Sequence, residues 1–127
     1  MATGEPGLRA KRVATQIRAR LVELLARDVS DPIFSGVVVT SVELPDDLSI
    51  ARVKARLLVG GEDAELRRKA TRALSRASTR LRRALGSSLK LKRVPELRFE
   101  YDTGLDAAKR VDELLAEIAQ DSKGTDK

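Results

Sequence analysis

Between Leu66 and Pro95 the chain carries eleven bases and no acid: Arg67, Arg68, Lys69, Arg72, Arg76, Arg80, Arg82, Arg83, Lys90, Lys92 and Arg93. At the angular spacing of a helix, Arg68, Arg72, Arg76, Arg80 and Arg83 fall within about a third of the circumference, so the pattern predicts a straight basic ridge. Like charges four residues apart repel, and no interleaved glutamate relieves them here. The expected counter-charge is a polyanion outside the chain. Arginine outnumbers lysine 17 to 8, and its planar fork suits bidentate phosphate contact and stacking on exposed bases. Removing the eleven from the 25 bases leaves fourteen against 19 acids. The net charge of +6 is therefore a local property of one segment.

Other chemistries are hard to assemble from this composition. Histidine and cysteine are both absent, which removes disulfides, thiol nucleophiles, the usual zinc ligands and every Ser-His-Asp or Cys-His arrangement. An Asp/Glu magnesium site in a phosphoryl-transfer or RNA-processing enzyme is the remaining enzymatic alternative. Asp46-Asp47 and the Ser, Thr and Asp residues at 28–31 and 102–106 read instead as turns and caps. No enzymatic activity, cofactor, metal or small-molecule substrate is expected. No apolar run approaches the ~20 residues that span a bilayer, and the opening MATGEPGLRAKR lacks the apolar centre of a signal peptide. A cytoplasmic location is expected, with no membrane partner: the face opposite the basic ridge is alanine-rich rather than lined with the bulky anchors of a membrane-surface helix.

The elements that must position the ridge are legible from periodicity. Residues 1–7 read as a flexible leader, 8–120 as one domain and 121–127 as a flexible tail. Ala10, Val13, Ala14, Ile17, Leu21, Leu24 and Leu25 recur at helical spacing, and this first helix should end before Asp31-Pro32. Val37 to Leu44 is β-branched. Leu48 to Val59 alternates after the turn residues 45–47, with Ala51, Val53, Ala55, Leu57 and Val59 inward and Gly60-Gly61 closing the strand. Residues 64–91 keep a 3.6 period, either as one helix or as two joined at a bend placed at Ser78-Thr79, the poorest helix formers there. Gly86-Ser87-Ser88 should weaken its far end. Pro95 opens a strand with Leu97, Phe99 and Tyr101 on one face, and Leu105, Ala108, Val111, Leu114, Leu115 and Ile118 make a final amphipathic helix.

Three sets of bases join the ridge as candidate nucleic-acid contacts, and their residues alone leave RNA and DNA both open. Lys90, Lys92 and Arg93 follow it directly. Arg9, Lys11 and Arg12 on the first helix, and Arg52, Lys54 and Arg56 on the second strand, are additional candidates. The strand triplet has two open readings: an extension of the basic surface, or pairing with Glu43, Glu96 or Glu100 on neighbouring strands.

The order helix, strand, strand, bent helix, strand is that of a type II KH domain. Over residues 8–118 the chain resembles the ribosome-binding factor A family. The resemblance is carried by RVATQIRARLVELL, Asp31-Pro32, VVVTSVELPDDLSIARV, ALSRASTRLRRALG and, most specifically, LKLKRVPELRFEYD. It implies an α+β, type II KH-like domain: a three-stranded sheet with helices on one face, plus a C-terminal helix. It also implies a non-catalytic, cytoplasmic assembly factor that binds the 30S subunit and 16S rRNA during late maturation and rRNA processing, including adaptation to cold. A monomer is expected when free. In this family an Ala-x-Gly kink between two helices replaces the Gly-x-x-Gly loop of ordinary KH domains. The corresponding positions here are Ala77, Ser78 and Thr79, so threonine stands where the family has glycine. Ile33 stands where the family often has arginine. The literal Gly4-Glu5-Pro6-Gly7 lies in the leader, outside any helix pair. A general DNA-binding or nucleoid-associated protein is the alternative reading of the same basic helix.

Overall fold

The structure, a computed structural model, describes residues 7–104 and 115–119. The expected leader, apart from Gly7, and the expected tail lie outside the described residues, as do residues 105–114 of the expected last helix. Helix α1 (Leu8–Arg27) is followed by a 3-10 turn (Pro32–Gly36), strands β1 (Val37–Glu43) and β2 (Ile50–Leu57), helices α2 (Ala64–Arg76) and α3 (Ser78–Leu89), and strand β3 (Glu96–Tyr101).

Local chemistry sets the boundaries of these elements. Asp31 caps the 3-10 turn by accepting from the Ile33 N–H at 3.1 Å, with Pro32 supplying a φ already suited to the first position. Between β1 and β2, the Leu48 N–H donates to the Pro45 carbonyl at 3.0 Å, and Leu48 itself adopts a left-handed φ of 57°. Asp63 starts α2 by accepting from the Glu65 and Leu66 N–H groups. The hairpin is antiparallel and pairs Val37 with Leu57 and Glu43 with Arg52, with a register shift at Thr40. Because α2 and α3 form the crossover from β2 to β3, those two strands run parallel, from Ile50 opposite Glu96 to Ala55 opposite Tyr101. The sheet order is β1-β2-β3, so β2 is central.

One face of the sheet carries the core. Ala51, Val53 and Ala55 of β2 and Leu97 and Phe99 of β3 meet Val13, Ile17 and Leu21 of α1 and Ala73, Leu74, Ala77, Leu81 and Leu85 of the helix pair. Ile17, Leu21 and Leu85 are wholly inaccessible, and such burial contributes roughly 1.5 to 3 kcal/mol per side chain. Alanines on both the central strand and the helices keep the layers close. This is the expected α+β, type II KH-like architecture with its helices on one face.

Several local expectations are corrected. The helix break falls at Ala77 (φ −85°, ψ −4°), the first of the three kink positions the resemblance implies and one residue before Ser78-Thr79, where propensity puts the bend and which already belong to α3. Ala77 is buried, so packing on the core, rather than the weak propensity of its neighbours, sets the position. The far end of α3 stops at Leu89, short of the expected Leu91, with Gly86, Ser87 and Ser88 inside its last turn. At Gly86 a Cβ would lie 2.6 Å from Val94 Cγ2, so glycine admits the segment leading into β3 rather than breaking the helix. Strand β2 ends at Leu57, and Val59, expected inward, is 85% exposed in the loop before Gly60. Residues 115–119 are helical, yet Leu115 and Ile118, expected on an apolar face, are exposed.

Candidate nucleic-acid interface

The ridge runs along both helices and crosses the interruption at Ala77, so of the two readings of residues 64–91 the pair of joined helices holds. Arg68, Arg72 and Arg76 on α2 and Arg80 and Arg83 on α3 are all at least partly exposed, and Lys90, Lys92 and Arg93 continue the surface beyond α3. Lys90 ends that helix in the left-handed conformation (φ 54°, ψ 41°), a position more often filled by glycine or asparagine. Two other bases of the acid-free segment serve the fold. Arg82 donates from Nε to the Pro95 carbonyl at 3.0 Å and from a terminal nitrogen to the Val94 carbonyl at 3.1 Å, tying α3 to the start of β3. Arg67 donates to the Gly61 carbonyl at 3.0 Å and lies 5.6 Å over the Tyr101 ring.

Counter-charge reaches the ridge from inside the chain, contrary to the expectation of an unopposed row. Arg68 pairs with Glu65 at 2.7 Å, one helical turn earlier. Arg76 lies 4.0 Å from Asp31, and Arg80 pairs with Asp28, both acids coming from the α1–β1 connection. Asp28 also accepts from the Ser30 hydroxyl at 2.6 Å and the Ser30 N–H at 2.9 Å. The Ser30 hydroxyl is the foremost cause holding the Asp28 carboxyl below its ordinary pKa, with Arg80 adding to the effect. At the far end, Arg93 lends a smaller push to Asp47, whose pKa is lowered chiefly by hydrogen bonds from Ser49. Arg72, Arg83, Lys90 and Lys92 have no ion pair among the described residues.

The strand triplet resolves differently. Arg52 forms a bidentate pair with Glu100, Nε to Oε1 at 2.9 Å and a terminal nitrogen to Oε2 at 3.2 Å. This contact raises the pKa of Arg52 and lowers that of Glu100. Lys54 sits opposite Glu100 in the parallel register, and Arg56 is half-buried. The outer sheet face is thus a mixed-charge lattice, and of the two open readings of Arg52 the structure favours pairing. Arg9, Lys11 and Arg12 lie on α1 and are all exposed. A groove of about 1030 Å³ between α1 and β1 brings Lys11 and Arg52 together with Arg18 and Arg98, two bases that periodicity places on outer faces but that are not among the candidate contacts. Asp28 and Asp31 were also missed as neighbours of the ridge, because as local sequence they are only turn residues.

A sheet backed by an interrupted, arginine-rich helix pair defines an α+β fold of the type II KH-like class with a basic surface along that pair. Residues 9–115 match the family described as Ribosome-binding factor A. A curated Ribosome-binding factor A from Sorangium cellulosum (strain So ce56) is 48% identical over 116 residues, covering 91% of this chain and 93% of that protein. The chain belongs to the ribosome-binding factor A family. The crystal structure of ribosome-binding factor A from Thermus thermophilus is similar at a TM-score of 0.61 and 29% identity, covering 72% of this chain and 94% of the other. A solution NMR structure of a Thermotoga maritima protein described as a ribosome binding factor A also gives 0.61, at 26% identity and with coverage of 76% and 90%.

Proposed function

We propose that this chain is a non-catalytic assembly factor of the small ribosomal subunit. It binds 16S rRNA through the α2–α3 ridge during late maturation and rRNA processing, acting in the cytoplasm as a monomer and contributing to growth in the cold. The observation that carries this reading is the row of cations, Arg72, Arg83, Lys90 and Lys92, with no ion pair among the described residues. Such a row releases counterions from a nucleic-acid backbone and gives a log–log salt slope of about −0.7 to −0.9 per phosphate contact. Charge alone does not select a particle, since every ribosomal surface carries phosphate. Preference must come from how the bent helix pair fits RNA shape.

Comparative co-sedimentation tests the proposal. At a salt concentration that suppresses indiscriminate binding, the protein is expected to pellet with free small subunits, immature ones above all, in preference to large subunits. Equal recovery on both subunits would overturn it, as would equal competition by duplex DNA.

A further inference from the structure

The α1–β1 connection places its acids against two ridge arginines on either side of the helix break. Asp28 accepts from a terminal nitrogen of Arg80, and that same nitrogen lies 3.2 Å from the Ser30 hydroxyl oxygen. Asp31 Oδ2 stands 4.0 Å from Arg76. Neither carboxylate is a loose surface acid. The Asp28 side chain is only 11% exposed and is fixed by two hydrogen bonds from Ser30, and Asp31 is held by its capping contact with Ile33. The arginines are more open, at 67% for Arg76 and 55% for Arg80. An incoming phosphate therefore meets guanidinium groups that already face preset anionic oxygens.

We infer that Asp28 and Asp31 are specificity-determining residues. By holding Arg80 in a hydrogen-bonded pair and standing 4.0 Å from Arg76, they reduce the phosphate contacts that these two arginines offer to indiscriminate polyanions. The contacts are released only to an RNA whose backbone brings phosphate to the α2–α3 junction in a geometry that displaces the carboxylates. This rests on the RNA-binding reading and divides the ridge into two parts. Arg72, Arg83, Lys90 and Lys92 attract any nucleic acid, while Arg76 and Arg80 respond to shape. Exposed ion pairs are weak, so each carboxylate is expected to lower generic affinity by about two- to fivefold rather than abolish it.

A double-mutant cycle with Asp28→Asn and Arg80→Gln, measured on a generic duplex RNA and on structured 16S rRNA fragments, tests this. Asparagine keeps the oxygen that accepts from the Ser30 N–H, so the turn survives. The Arg80→Gln change alone should alter duplex affinity by less than about twofold, because that charge is already taken. The Asp28→Asn variant should bind duplex about two- to fivefold more tightly, with a salt slope steeper by about 0.7 to 0.9, and adding Arg80→Gln should erase both gains. Discrimination between 16S fragments and duplex should shrink accordingly. Additive effects, or Asp28→Asn leaving duplex binding unchanged or weaker, would overturn the inference, as would absence of polyanion binding by both wild type and variant. The parallel cycle of Asp31→Asn with Arg76→Gln guards against misfolding at Asp28 and should show the same sign with a smaller coupling. Because the duplex arm does not depend on any ribosomal preference, loss of small-subunit selectivity in the wild type would sink the proposed function while leaving the cycle readable.

Discussion

Two regions of this molecule are rich in arginine and behave in opposite ways. On the outer face of the sheet, the parallel register sets Arg52 beside Arg98 and Lys54 beside Glu100. Arg52 reaches diagonally to Glu100 with both prongs of its fork, and Arg98 approaches Glu96 at 3.5 Å. On the α2–α3 pair, the 3.6-residue period stacks like charges on one face, and acids reach them only from the first turn of α2, as Glu65, and from the α1–β1 connection, as Asp31 and Asp28. A strand exposes its charges to neighbouring strands, so opposite signs meet by register. An outer helix face has no such neighbour, so its charges stay available unless a loop crosses them. Arginine content is therefore a poor guide to a binding surface, and the presence of an adjacent element is a better one.

The widest separation between the two regions should come from neutralising them in turn. Replacing Arg72, Arg83 and Lys92 by glutamine should weaken binding to 16S rRNA fragments by roughly fivefold to tenfold per lost contact near 0.1 M salt, and flatten the salt slope by about 0.7 to 0.9 for each. Replacing Arg52 and Arg98 instead should change affinity by no more than about twofold, because exposed paired charges contribute little. Filter binding across a salt series reads both, and equal losses from the two regions would abolish the distinction.

A smaller effect should follow from disturbing how the ridge is carried into β3. At Gly86→Ala the new methyl would press on Val94, a short β-branched side chain with little freedom to move aside. A destabilisation of about 1 to 3 kcal/mol from overpacking is expected, partly offset by alanine's better helix propensity. Val94→Ala should restore much of the loss in the double variant. Denaturant midpoints measure this, and a Gly86→Ala protein as stable as wild type would mean that the α3–β3 segment is free to retreat. The matching change on the sheet face, Lys54→Ala, should fall within about 0.5 kcal/mol.

The smallest effect is expected from pH. With no histidine or cysteine in the chain, no side chain has an ordinary pKa between roughly 5 and 8. Asp28 and Glu100 are held below their ordinary values by Ser30 and Arg52 respectively. A carboxyl depressed on folding contributes stability that is complete above its unfolded pKa and is lost as pH falls through the folded one. The unfolding midpoint should therefore be flat from about pH 6 to 8 and decline only below about pH 4. A transition near neutrality would require an ionisation that the structure does not show.

The order of the described helices and strands, the inward residues of α1, those of β2 as far as Leu57 and the helical run that carries the ridge are legible in the one-dimensional pattern. Apolar periods of 3.6 and 2 report which face each element must bury, and an acid-free stretch reports charge without any fold. Bounds that depend on neighbours were not legible. The break sits at Ala77 because that buried residue must meet the sheet, and Gly86 lies inside α3 because Val94 comes close to it. Asp28 and Asp31 read along the chain as turn residues far from the basic segment, 52 positions separating Asp28 from Arg80. Composition and periodicity settle which charges this protein carries and on which faces they lie. The tertiary structure alone decided which are already spent on one another, because pairing depends on separations of a few ångströms between segments that chain distance does not constrain.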